Sequence, residues 1–370
     1  MPDTHLRNLD SIRYLAFLLV FFGHLISPRW MPESQVVAFL SNYTTYTGYF
    51  GVVAFFVLSG FLITFLLLKE EEKNKSSNVP KFYLRRVLRI WPLYYASILV
   101  VLVFFAFYRK LQGDTSPEHD LTLYYFFLAN FHEILHGAPP KAWALDVLWS
   151  VSIEEQFYLV WPLLLILVRR FRVLALGVLA VGSVGFQYWA FRHLPGVAGF
   201  HHTLSCMYYL TLGGLCAIAY FRQQRTFQVW VLARPWVALV SIAVVPMGVL
   251  LLGYIKPYVD VASKAGLVTT GYVVLALLMC GVILAQISTQ RFELRRVLPF
   301  ERFGKYTYGL YIWHFLSIIL VHAALLRLAP GALYWLLVPL SLVGAHVMAY
   351  TSYRFFELPF LRLKDRFKTV

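Results

Sequence analysis

The residues in this chain with side chains able to do chemistry are few, and they sit among apolar neighbours. Arg13 and His24 fall in LDSIRYLAFLLVFFGH, eleven residues apart. On a helix this is roughly 1100° of rotation, which leaves the two side chains about 20° apart around the axis and about 16 Å apart along it. A guanidinium at one end of such a face suits a phosphate-bearing ligand, and an imidazole deeper along it would meet that ligand's reactive end. The plainer alternative makes Arg13 an interfacial anchor and His24 an interhelical hydrogen-bonder. Glu154 and Glu155, in SVSIEEQFYLVWP, point about 100° apart. One can face a central cavity while the other braces a neighbouring helix, and a structural role for both is the competing reading. Asp10 near Arg13, His314 in YGLYIWH, His322 and His346 complete the set, with His322 and His346 read as packing.

These groups matter because of where the rest of the sequence puts them. The chain has 370 residues, 59% of them apolar and 14% charged, with a mean hydropathy of +0.65. Soluble domains carry about 25% charge, so the surplus apolar surface must face lipid. Long stretches nearly free of charge recur, each near the roughly 20 residues a helix needs to cross about 30 Å of hydrocarbon. They run near Ile12–Leu25, Tyr49–Leu68, Trp91–Phe107, Trp149–Val168, Val173–Ala190, Leu204–Tyr220, Trp236–Leu252, Leu267–Ile287, Tyr306–Leu326 and Leu333–Tyr353. The expected fold is therefore an all-α polytopic membrane protein with about ten transmembrane helices, residues 1–370 forming a single transmembrane domain. An ionisable group inside such a bundle costs at least about 2.5 kcal/mol when it meets lipid, so those above should face a polar interior.

The formal net charge is +15. With a cytoplasmic N-terminus, 25 of the 33 Lys and Arg fall on the cytoplasmic side of the ten spans, in every loop on that side. This is the positive-inside pattern, and it places both termini in the cytoplasm. Attraction to anionic inner-leaflet lipid accounts for the charge, and no motif or spacing supports nucleic-acid binding. One cytoplasmic stretch, FYLRRVLRI, gathers Arg85, Arg86 and Arg89 within little more than a helical turn, with Arg85 also able to face lipid headgroups.

Outside the spans, Leu121–Phe131 is too short to cross and is expected as a re-entrant or interfacial helix. His193, His201 and His202 share one outward loop, but the adjacent pair diverges and no carboxylate accompanies them there, so no metal site is expected. Cys206, Cys216 and Cys280 lie inside spans without paired spacing. Ile26, Ser27 and Pro28 follow the first span in place of a small-residue cleavage site, so that span is read as an anchor. Ser59 and Gly60, in FFVLSGFLIT, read as close helix packing, since Ser59 lacks the G-x-S-x-G surroundings of an activated nucleophile. On residues alone, an enzyme and a secondary transporter or exporter of a polar or glycosylated substrate stand level.

LDSIRYLAFLLVFFGH, FFVLSGFLIT, FYLRRVLRIWPLYY, WSVSIEEQFYLVWP and GLYIWH, in that order, resemble the recurring blocks of the acyltransferase 3 family of bacterial membrane O-acyltransferases. Ser11 departs from a glycine common after the family's aspartate. The resemblance implies ten core helices in the bacterial cytoplasmic membrane. It also implies transfer of an acyl group, acetyl first among them, from cytoplasmic acyl-coenzyme A to a hydroxyl of a carbohydrate or glycolipid acceptor such as lipopolysaccharide or another polysaccharide. No permanently bound cofactor is implied, nor any fused extracytoplasmic esterase-like domain. His24 would be the catalytic base, with Glu154 or Glu155 orienting it or binding sugar hydroxyls. Arg13, Arg85, Arg86 and Arg89 would hold the donor's phosphates, with His314 on the donor-binding side.

Overall fold

The computed structural model describes residues 6, 8–26, 30, 35–112, 120–137, 139–194, 197–241, 243, 247–248, 262–289, 301–328 and 333–367. Regular structure among them is helical. Its principal elements are α1 (Leu9–Leu25), α2 (Gln35–Asn74), α3 (Val79–Gln112), α4 (Thr122–Tyr125), α5 (Ala129–His136), α6 (Leu148–Leu167), α7 (Arg172–His193), α8 (Ala198–His201) and α9 (Thr203–Ala233). They continue as α10 (Ala265–Ser288), α11 (Glu301–Gly304), α12 (Thr307–Leu328), α13 (Leu333–Ser352), a π-helical turn (Tyr353–Glu357) and α14 (Leu358–Asp365).

Among the described residues, eight helices are long and apolar enough to cross a membrane. α1 is shorter, at 17 residues, and packs along α2. Nine of the ten expected spans thus coincide with helices. The seventh, Trp236–Leu252, lies only partly within the described residues, and those described are helical; Arg7 and the basic stretch 291–300 lie outside them. Leu121–Phe131 is divided between two short helices, α4 and the start of α5. Phe127 causes the break: its φ of 55° is left-handed and cannot continue a helix. Its ring is held 4.3 Å from that of Tyr94, which supports this conformation.

Packing explains why this sequence makes a bundle. α2 is sealed to α9 without intervening side chains, because a Cβ on Gly60 would overlap the Leu210 carbonyl and one on Gly213 the Val57 carbonyl. Small residues of this kind let backbones approach where lipid offers no hydrophobic drive. On the outside, Leu159, Leu163 and Leu167 of α6 and Leu174, Val178 and Val181 of α7 remain exposed, as a lipid-facing surface requires. α2, at 40 residues, measures about 60 Å and outruns the hydrocarbon layer. Its end enters a layer of ion pairs: Glu70 with Arg85 at 3.1 Å, and Glu71 with Arg169 at 2.5 Å and Arg172 at 2.7 Å.

Candidate active site

Two cavities follow one another along α1. The first, of about 150 Å³, is bordered by Arg13 of α1, Ser59 of α2, Arg86 and Arg89 of α3, Glu154 and Tyr158 of α6, and Lys305 between α11 and α12. Four cationic side chains thus face it against one carboxylate. Arg13 is partly neutralised by Asp10, at 2.7 Å. Arg86 lies over the rings of Phe82 and Tyr158, and its Nε has no hydrogen-bond partner among the described residues. Glu154 accepts from Ser59 Oγ at 2.9 Å and from Tyr158 Oη at 2.7 Å, which fixes its carboxylate at the cavity edge.

The second cavity, of about 260 Å³, holds His24, Tyr49, Asp146, Trp149, His201 and Tyr272. The Trp149 indole and the His201 imidazole stack at 3.9 Å and 11°. Behind His201 stands Glu133 of α5, with Oε2 at 2.7 Å from the imidazole Nδ1. Burial pushes the Glu133 carboxyl well above the usual carboxylate range.

Val52 and Tyr311 border both cavities and form the wall between them. The Tyr311 hydroxyl is held against Ser150 Oγ at 2.5 Å. Arg13 and His24 do open on the same side of α1, but each faces its own chamber. His24 also meets α12: His314 Nε2 lies 3.2 Å from its Nδ1, and Phe315 packs on its ring.

The sequence-derived candidates separate accordingly. Arg13, Arg86, Arg89 and Glu154 share the cationic cavity, and His24 lines the other. Arg85 lines neither; it reaches Glu70 Oε2 and, at 3.0 Å, the Phe367 carbonyl. Glu155 turns aside to accept from Trp91 Nε1 at 2.8 Å. His314 is fully buried and faces His24, on the far side of the wall from Arg86 and Arg89. His346 accepts from Tyr14 Oη at 2.9 Å, and His322 packs against Trp30. Asp146, Trp149, His201, Glu133 and Tyr311 were not singled out as site residues from sequence. Asp146 stands just ahead of a span, three residues before Trp149, and that placement was the only available signal.

A helical bundle with polar chambers inside a lipid-facing shell defines an integral membrane protein. The Acyltransferase domain profile matches residues 6–354, and the chain belongs to that acyltransferase 3 family. It is similar to the peptidoglycan O-acetyltransferase OatA of Listeria monocytogenes, with 29% identity over 390 residues, covering 95% of this chain and 55% of that protein. It is also similar to the O-acetyltransferase OatA of Staphylococcus aureus, with 24% identity over 368 residues, covering 96% of this chain and 57% of that protein. The chain therefore spans a little over half the length of these curated relatives. No solved structure matches it.

Proposed function

We propose that the protein is an O-acyltransferase that moves an acyl group, acetyl first among them, from cytoplasmic acyl-coenzyme A to a hydroxyl of a carbohydrate acceptor on the other side of the membrane. The observation that carries this reading is the pair of chambers on one helix, one cationic and one lined by His24, a stacked indole and imidazole, and a single carboxyl group, Asp146. Family membership and the likeness to O-acetyltransferases support it.

The donor's phosphates sit at Arg86, Arg89 and Arg13, where guanidinium groups give charge-assisted, bidentate contacts. The pantetheine arm passes between Val52 and Tyr311 and brings the thioester to His24. The acceptor sugar lies against Trp149, an apolar platform for a ring face, with Asp146 and His201 at its hydroxyls. His24 takes the hydroxyl proton, the oxygen attacks the thioester carbon, and the C–S bond breaks. The imidazolium then returns the proton to the departing thiolate, giving the ester and free coenzyme A. Glu154, across the wall from His24, orients the donor-side groups.

The test incubates purified protein with labelled acetyl-coenzyme A and envelope fractions and identifies the labelled product by mass spectrometry. Wild type should release coenzyme A in proportion to ester formed. His24→Ala should form none while binding coenzyme A within a few-fold of wild type. Ester formation by H24A at the wild-type rate would remove the assigned base, and uptake of a substrate without coenzyme A release would instead mark a transporter.

A further inference from the structure

His314 borders neither chamber, yet its contacts define the state of the residue that does. Its Nδ1 lies 2.8 Å from the Tyr311 carbonyl oxygen. A carbonyl only accepts, so this nitrogen carries a hydrogen, and in a neutral imidazole the lone pair is then on Nε2. That lone pair faces His24 Nδ1 at 3.2 Å. His24 Nδ1 is also 3.1 Å from the Val20 carbonyl oxygen, a second acceptor. One hydrogen on His24 Nδ1, shared between the two, satisfies both. The opposite assignment, with a proton on His314 Nε2, sets two N–H groups against each other across 3.2 Å or strips the Val20 contact of its donor.

We propose that His314 is a positioning residue that locks His24 in the tautomer protonated at Nδ1, so that Nε2 is the nitrogen that receives the acceptor's proton. When His24 becomes imidazolium, the same Nδ1–H donates to His314 as a charge-assisted bond, which strengthens as charge develops. An acid–base histidine elsewhere is held by a carboxylate; here a second, neutral imidazole from α12 does the holding. The kinetic consequence rests on the acyl-transfer reading, whereas the tautomer is independent of it.

Two variants and two measurements test this. His314→Gln places an amide oxygen near the position of Nε2, while His314→Leu supplies no acceptor at similar bulk. Solid-state ¹⁵N spectra of histidine-labelled protein in liposomes, with the His24 signals assigned by difference from His24→Asn, report the tautomer directly. The expected result is a His24 protonated at Nδ1 in wild type and in H314Q, and a mixture of tautomers in H314L. In the transfer assay, H314L should lower kcat roughly 10- to 100-fold with the donor KM within about two-fold, and H314Q should recover part of the loss. A wild-type His24 protonated at Nε2, or an H314L enzyme with unchanged kcat, overturns the assignment. If wild type transfers nothing, the acyl-transfer reading fails while the spectra still decide the tautomer.

Discussion

Replacing Arg85 and Arg89 by glutamine, one at a time, should produce two different defects although the residues are one helical turn apart. Arg85 pairs with Glu70, and the side chains are 14% and 1% exposed. Glu70 would keep one hydrogen bond, from the Asn78 N–H at 2.9 Å. Breaking a wholly buried pair costs about 3–5 kcal/mol. The partial solvation of Arg85 and the surviving bond reduce this to about 2 kcal/mol, or a fall in Tm of roughly 3–6 °C. Arg89 borders the cationic cavity, so on the proposed donor site its loss should remove a phosphate contact of about 1.5–3 kcal/mol, a 10- to 150-fold rise in donor Kd. Calorimetric titration with acetyl-coenzyme A gives the second quantity. A thermal scan with a thiol-reactive dye gives the first, since Cys206 and Cys216 are buried until unfolding. An Arg85→Gln protein that loses donor affinity as severely as Arg89→Gln, with unchanged Tm, would refute the division between the chambers and the ion-pair layer.

Gly60→Ala should cut the yield of folded protein and lower Tm, because the new methyl group meets the rigid Leu210 carbonyl and overpacking costs about 1–3 kcal/mol or more; size-exclusion profiles identical to wild type would contradict this. Trp149→Ala should raise the acceptor KM several-fold and leave donor Kd unaltered, and steady-state kinetics with each substrate varied separately decide it. Glu133→Gln should gain stability over wild type as pH rises. The raised carboxyl stays protonated in the fold, whereas the unfolded chain releases that proton above its ordinary value of 4.5, so alkalinity draws wild type toward unfolding. Glutamine has no proton to release, and a Tm difference constant from pH 5 to pH 8 would count against the buried neutral carboxyl.

Lipid exposure and helix positions were legible because hydropathy and helix length are local properties of the sequence. The shared face of Arg13 and His24 was legible too, since helical rotation over eleven residues fixes it. The wall between them was not, because Val52 and Tyr311 come from other helices and look like ordinary apolar positions. The loop holding His193, His201 and His202 has no carboxylate of its own; Glu133 reaches His201 from α5, far away in the sequence, and that partner was not legible there. Arg85, Arg86 and Arg89 formed one cluster on paper. Their partners divide them: Glu70 claims the first, while the other two turn to the cavity.

The Val52–Tyr311 partition also bears on the energetics of the cell. In the proposed acyl transfer, a passage open to a thioester from one face and a sugar from the other would conduct protons down the membrane potential, about 2.3 kcal/mol per charge at 100 mV. The Tyr311 phenol, hydrogen-bonded to Ser150, and Val52 border both chambers and stand where such a passage would run. On that reading, transfer across the bilayer need not discharge the gradient on which the host depends.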